Sequence, residues 1–182
     1  MWPVIIIVVV IIICIYAFVT YNKLVKYKNL VNEAFSTMDV YLKKRWDLIP
    51  NLVEVVKGYA NHEKELFEKI TSLRASNYNN ISVETKLELN ETLTQDLSRI
   101  MMGSESYPEL KASQNFIDLS QKLTQIEDEI ANSRKYYNGT VRMLNNKIQM
   151  FPSNIIAKIF KFKKANMFEA NIEEKENTKV EL

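Results

Sequence analysis

Glycine and proline are scarce in this chain, with three Gly and four Pro among 182 residues. A β-sandwich or barrel turns every ~8–12 residues and draws on both residue types, so their scarcity excludes an all-β architecture. Cysteine occurs once, as Cys14, which rules out an intramolecular disulfide. Ile11, Ile12 and Ile13 precede it instead of the small residues of a lipidation site, so it reads as a small apolar side chain facing lipid. Histidine also occurs once, in Asn61-His62-Glu63-Lys64-Glu65. A zinc-protease helix needs a second imidazole one turn on, and Leu66 stands there. A solvent-facing or capping role suits His62 better than a catalytic one. The sequence has no Gly-rich phosphate loop, no Cys/His cluster and no strand–turn–helix nucleophile elbow. The expectation is therefore a protein that is not an enzyme, with no catalytic, cofactor-binding or metal-ligating residues and no cofactor. The formal net charge is only +2, with both signs mixed along the chain, which argues against nucleic acid as a partner.

What the chain does have is one long apolar run. No charged side chain occurs from Met1 to Val19, and the centre reads Val4-Ile5-Ile6-Ile7-Val8-Val9-Val10-Ile11-Ile12-Ile13. Crossing ~30 Å of hydrocarbon takes ~20 apolar residues in a helix. The β-branched composition would suit a strand in water, but a lone span must satisfy its own backbone and so must be helical. A cleaved signal peptide would begin with Lys or Arg and end at small residues. Here the run leads instead into Tyr16, Phe18 and Tyr21. Trp2 and Tyr16/Tyr21 suit aromatic anchors at the two interfaces. The reading is an uncleaved anchor over residues 1–20, meeting the bilayer through residues 3–20.

Beyond Tyr21 the apolar residues keep helical spacing. Leu24, Tyr27, Val31, Ala34, Met38 and Tyr41 form one stripe, widened by Phe35 and Leu42. Nothing separates this stretch from the span, so one continuous helix is expected to leave the bilayer. Pro50 is expected to break it. A second helix then carries Leu52, Val55, Val56, Tyr59, Leu66, Phe67, Ile70 and Leu73, with Gly58 inside it where a neighbouring helix comes close. Asn77–Asn80 reads as a loop, and Ser82 as the cap of a third helix that Gly103 ends. Ser106 and Glu109, around Pro108, suggest a capping box that opens a long fourth helix, whose apolar residues run from Phe116 to Ile148. Pro152 stops that helix, and Ser153 caps a short last one from Asn154 to Phe160. The expected fold is all-α: an N-terminal transmembrane helix continuing into an elongated antiparallel helical bundle over residues 21–160. Residues 161–182 read as a polar, disordered tail.

Asp39, Asp47 and Glu54 alternate with Lys43, Lys44 and Arg45, as on a solvated, salt-bridged helix face. Amides near Tyr136-Tyr137-Asn138 and Leu144-Asn145-Asn146 are expected to fix helix register and not to bind a ligand.

Four stretches of the chain, taken together, resemble the LemA family of bacterial membrane proteins. They are Tyr21-Asn22-Lys23-Leu24-Val25; Glu33-Ala34-Phe35 through Asp47-Leu48-Ile49-Pro50-Asn51-Leu52-Val53 to Glu63; Tyr137-Asn138 with Val141-Arg142 and Asn145; and Phe151-Pro152-Ser153-Asn154 through Ala157 to Phe168-Glu169. Phe35 and Trp46 are atypical, and Lys161 stands where the family more often has glycine. The resemblance implies an N-terminal anchor and a long-helix bundle, and it supplies no reaction. For partners it implies membrane proteases or TPM-domain proteins.

The resulting expectation is a membrane-anchored, non-catalytic scaffold or adaptor engaging a protein partner at the bacterial cell membrane. The rival is a homo-oligomer that organises or senses the envelope, although the span lacks the small-residue spacing that favours tight helix pairing. Lys23, Lys26 and Lys28 follow the span before the first acid, Glu33, and no basic residue precedes it. The positive-inside rule then puts the N-terminus outside and the domain in the cytoplasm. Protease added outside intact cells should leave the C-terminal domain whole, and trimming of that domain would reverse the orientation.

Overall fold

The computed structural model of the protein describes residues 1–59, 68, 71, 72 and 78–168. All regular structure among them is helical. Helix α1 spans Trp2–Lys57, α2 Val83–Gly103, α3 Pro108–Lys111, α4 Gln114–Gln149 and α5 Ser153–Ile159, with 3-10 turns at Tyr78–Asn80 and Ser104–Ser106. The chain forms two compact units, one of residues Met1–Thr37 and Ser133–Met167, the other of Met38–Asn132 and Phe168–Leu182.

In the first unit, residues 1–19 of α1 are exposed apart from half-buried Ala17. A bare helix of Ile and Val is stable only where the solvent is itself apolar, so this part of α1 is the membrane anchor. Burial begins abruptly: Val19 is 46% exposed and Thr20 only 2%. Leu24, Val31 and Ala34 then turn inward, and Tyr137, Val141 and Leu144 of α4 and Ala157 of α5 are buried in the same unit. Phe35 lies edge-on to Tyr137 at 6.0 Å between centroids.

In the second unit, Met38, Leu42, Trp46, Ile49 and Leu52 of α1 face inward, as do Leu93, Leu97 and Ile100 of α2 and Phe116, Leu123 and Ile130 of α4. Asp39 meets Lys86 and Arg45 meets Asn90, so α1 and α2 run in the same direction. Ser120 bonds to Met101 while Thr94 and Glu127 share Arg45, so α2 and α4 run in opposite directions. Five of the buried residues of α4, Phe116, Leu123, Ile130, Tyr137 and Leu144, are spaced seven apart. A seven-residue step drifts only ~20° on a helix, so within each unit these residues lie along one row. Each such side chain is worth roughly 1.5–3 kcal/mol when fully buried.

Several helix ends differ from expectation, each for a local reason. Pro50 does not break α1, which continues to Lys57. Ile49, Leu52 and Val53 on either side are buried, and their packing outweighs the loss of one N–H donor. Residues expected in a second helix therefore belong, as far as Val56, to the first; Leu66, Phe67, Ile70 and Leu73 lie outside the described residues, as does His62. Gly58 follows the end of α1, and among the described residues a Cβ there would meet only the Val55 carbonyl at 3.4 Å, not a neighbouring helix. Ser82 caps α2 as expected, accepting from the Thr85 amide at 3.2 Å. Gly103 is the last residue of α2 with an ordinary right-handed φ of −59°, so no left-handed cap forms there. The capping box of Ser106 and Glu109 does not form either: Tyr107 precedes α3 without a side-chain cap, and the long helix starts only at Gln114. Ser153 closes the preceding helix instead of capping its own, its Oγ donating to the carbonyls of Lys147 (2.7 Å) and Met150 (2.8 Å).

The end of α5 explains the departure at position 161. Lys161 has a φ of +55°, the left-handed region that favours glycine. Its amide bonds to the Lys158 carbonyl, and the Phe162 amide reaches back to the Ala157 carbonyl. This pair of bonds is the Schellman closure of a helix. Lys161→Gly should therefore stabilise the protein by about 0.5–1 kcal/mol, raising the thermal midpoint in detergent by roughly 2–4 °C. An unchanged or lower midpoint would argue against this backbone conformation.

Candidate functional site

The first unit holds a cleft of about 630 Å³ beside the exit of the membrane helix. Tyr21, Val25, Lys28 and Asn32 recur at helical spacing and put one face of α1 along its side. The opposite wall is the chain that follows α5, from Phe160 to Ala165. Helix α4 holds that wall in place. Asn145 treats the Ala165 backbone as a strand neighbour would, its Nδ2 donating to the carbonyl at 2.8 Å and its Oδ1 accepting from the amide at 3.0 Å. One residue on, the Tyr137 hydroxyl donates to the Asn166 carbonyl at 2.9 Å. These bonds secure Ala165 and Asn166 in the first part of the expected tail; residues 169–182 lie outside the described residues. Tyr21 stacks obliquely on Phe160 at 4.7 Å and edge-on to Phe162 at 5.9 Å.

The electrostatics of this unit are one-sided. Residues 1–37 and 133–167 carry eleven lysines and arginines and a single acid, Glu33. The small net charge of the chain conceals this, because the acids that offset it lie in the other unit's residues. Lys28, Lys161 and Lys163 line the cleft. Ammonium groups beside aromatic walls suit an anionic group, and the lining has no carboxylate to pair with them for proton transfer.

The second unit holds a polar knot. Arg45, expected on a solvated face, is 1% exposed. Its Nη1 donates to Thr94 Oγ1 and Glu127 Oε1, both at 2.8 Å, and its Nη2 to the carbonyl of Asn90 and to Asn90 Oδ1. Nearby, Asp39 accepts from the Tyr78 hydroxyl at 2.6 Å and from Lys86 at 3.0 Å. The Lys86 ammonium also stands over the Tyr78 ring at 4.3 Å, and Trp46 packs on that ring at 5.4 Å. Burial above all, then the bond to Asp39, pushes the Tyr78 hydroxyl above its ordinary pKa and keeps it a neutral donor. The cavity beside the knot, about 10 Å³, is one-water size. It leaves no room for a substrate.

Of the charged residues expected to interleave, only Lys43 and Asp47 form the exposed pair foreseen, at 2.6 Å. Glu54 is exposed, and Asp39 is drawn away to Tyr78 and Lys86. Cys14 is exposed on the anchor, as a lipid-facing residue must be. Asn145 does the structural work expected of the amides, whereas Asn146 is exposed. Among the described residues, no group of three or more His, Cys, Asp or Glu is placed to hold a metal ion. The roles of Asn90, Thr94 and Glu127 escaped sequence reasoning. The one available signal was Asn90 standing three residues before Leu93 on an apolar stripe.

The model of the LemA family matches residues 34–182. The chain belongs to the LemA family. It is 29% identical over 152 residues to "Protein LemA" of Metamycoplasma hominis, covering 82% of this chain and 69% of that one. It is also 33% identical over 73 residues to each of the magnetosome proteins MamQ 1 and MamQ 2 of Paramagnetospirillum magneticum, 40% of this chain and 27% of theirs. As a LemA protein it is membrane-associated through its apolar N-terminal helix. Within the Asp47-to-Val53 block of the family resemblance, Ile49, Leu52 and Val53 are buried in the core.

The knot generates an asymmetric prediction. Glu127 is 34% exposed and is the carboxylate paired with buried Arg45. Removing it strands a buried cation among neutral acceptors, so Glu127→Ala should cost about 3 kcal/mol. Adding Arg45→Met should restore part of that loss in a thermal-unfolding double-mutant cycle. Simple additivity of the two losses would show that the pair is not coupled.

Proposed function

We propose that this LemA protein is a single-pass, non-catalytic helical scaffold that engages a protein partner at the cytoplasmic face of the bacterial membrane. The observation that carries this reading is the segregation of charge. The unit continuous with the span carries eleven basic residues and one acid. Its Lys23, Lys26 and Lys28, directly after the span, are the bias that retains a domain on the cytoplasmic side. The rest of the chain is left acid-rich, a surface that favours a partner with a basic face. The absence of a catalytic task for the polar side chains fits this reading: Arg45, Asp39, Tyr78 and Asn145 are all committed to tying helices or chain segments together. The partner classes to seek first are those the family resemblance implies, a membrane protease or a TPM-domain protein.

In-cell crosslinking of the tagged full-length protein, followed by identification of what co-purifies, tests this. A distinct membrane-associated protein should be recovered, and its yield should fall as salt rises. Recovery of the protein crosslinked only to copies of itself would overturn the scaffold reading in favour of self-assembly.

A further inference from the structure

Helix α5 turns an apolar face away from the protein. Its inner side is Ser153 and Ala157, 2% and 1% exposed. Ile155 and Ile159 are 50% and 63% exposed, and at 100° per residue they point away from that inner side. Phe151, two residues before the helix, and Phe160, just past its end, are 79% and 54% exposed. A single bare Ile would mean little, but four large apolar residues within ten positions form a patch.

The position of the patch indicates what covers it. The domain begins to bury α1 at Thr20, directly after the last bare residue of the anchor. Phe160 lies against Tyr21, one residue further on. With a rise of ~1.5 Å per residue and a headgroup layer ~5–7 Å deep, α5 stands at the level where the span leaves hydrocarbon. The charges agree. Lys158 flanks the apolar row, and Lys161, Lys163 and Lys164 follow it, all exposed. Glu33 is the one acid of the whole unit.

We propose that α5 lies in the interfacial layer of an anionic phospholipid bilayer, as a second membrane contact beside the span. Phe151, Ile155, Ile159 and Phe160 enter the top of the acyl-chain region, and the lysines meet lipid phosphates. An amphipathic helix of this kind buries its apolar face ~5–10 Å into the headgroup–acyl boundary, where basic residues near the surface add to its attraction. Two contacts in place of one would hold this unit against the bilayer and fix how α1 is turned in it. The inference rests on the reading of α1 as a membrane span.

The test uses the full-length protein in vesicles of phosphatidylcholine and phosphatidylglycerol, with nitroxide-bearing lipids as quenchers. A fluorophore is attached either to the native Cys14 or to Ile159→Cys in a Cys14→Ser background. The Cys14 label should be quenched most by nitroxides placed deep in the acyl chain, and the label at 159 most by nitroxides near the headgroup. Deep quenching at 14 with none at 159 would overturn the interfacial helix and leave the span intact. No quenching at either site would overturn both. Disulfide-linked dimers of Ile159→Cys without lipid quenching would show that a second copy covers the patch, which also overturns the proposal. Ile155→Cys repeats the measurement should Ile159→Cys fail to fold.

Discussion

Inside a bilayer a polypeptide has no water to bond with, so a lone span must satisfy every backbone group along its own axis. In this protein the helix that obeys that constraint does not end at the membrane boundary. The same α1 supplies inward-facing residues to both units, from Leu24 through Val31, Ala34, Met38 and Leu42 to Ile49 and Leu52. Its register in the membrane and its register in the core are one quantity. A slip of one residue would move the buried stripe by 100° and expose Leu24 and Met38 together. The continuity of α1 through Pro50 belongs to the same constraint, because packing on both sides of the proline holds the helical path.

The polar interior follows from how little of the core is left to specify a unique arrangement. Leu, Ile and Val interchange at modest cost, whereas a buried guanidinium accepts few settings. Arg45 joins α1 to Asn90 and Thr94 of α2 and to Glu127 of α4, and so selects one alignment of three helices. Asn145 does the equivalent for the chain after α5, which has no secondary structure of its own to hold it. Both ties use polar side chains for structure and not for chemistry.

Much of the fold was legible because the signals are local. Nineteen residues without charge mark the anchor, and steps of three and four mark α1, α2 and α4. Ser82 caps where a serine ahead of a periodic run should. Two of the misread ends show why packing overrides residue type. Residue type alone points Pro50 and Ser153 to a helix break and a cap, but burial of Ile49 and Leu52 and the carbonyls offered by Lys147 and Met150 decide what each one does. Lys161 went the other way: the family resemblance marked a glycine position, and the backbone there does take the left-handed turn.

By itself the sequence determined the helical class, the membrane anchor, the family and the absence of recognisable catalytic motifs, since these follow from hydropathy, spacing and short motifs along the chain. Only the tertiary structure decided that Arg45 is buried, that Asp39 serves Tyr78 and not its own helix face, and that the basic residues gather with the span while the acids go elsewhere. Those outcomes depend on partners up to 82 positions away, such as Glu127 for Arg45. A charge has no fixed meaning until folding sets which charges and how much water surround it.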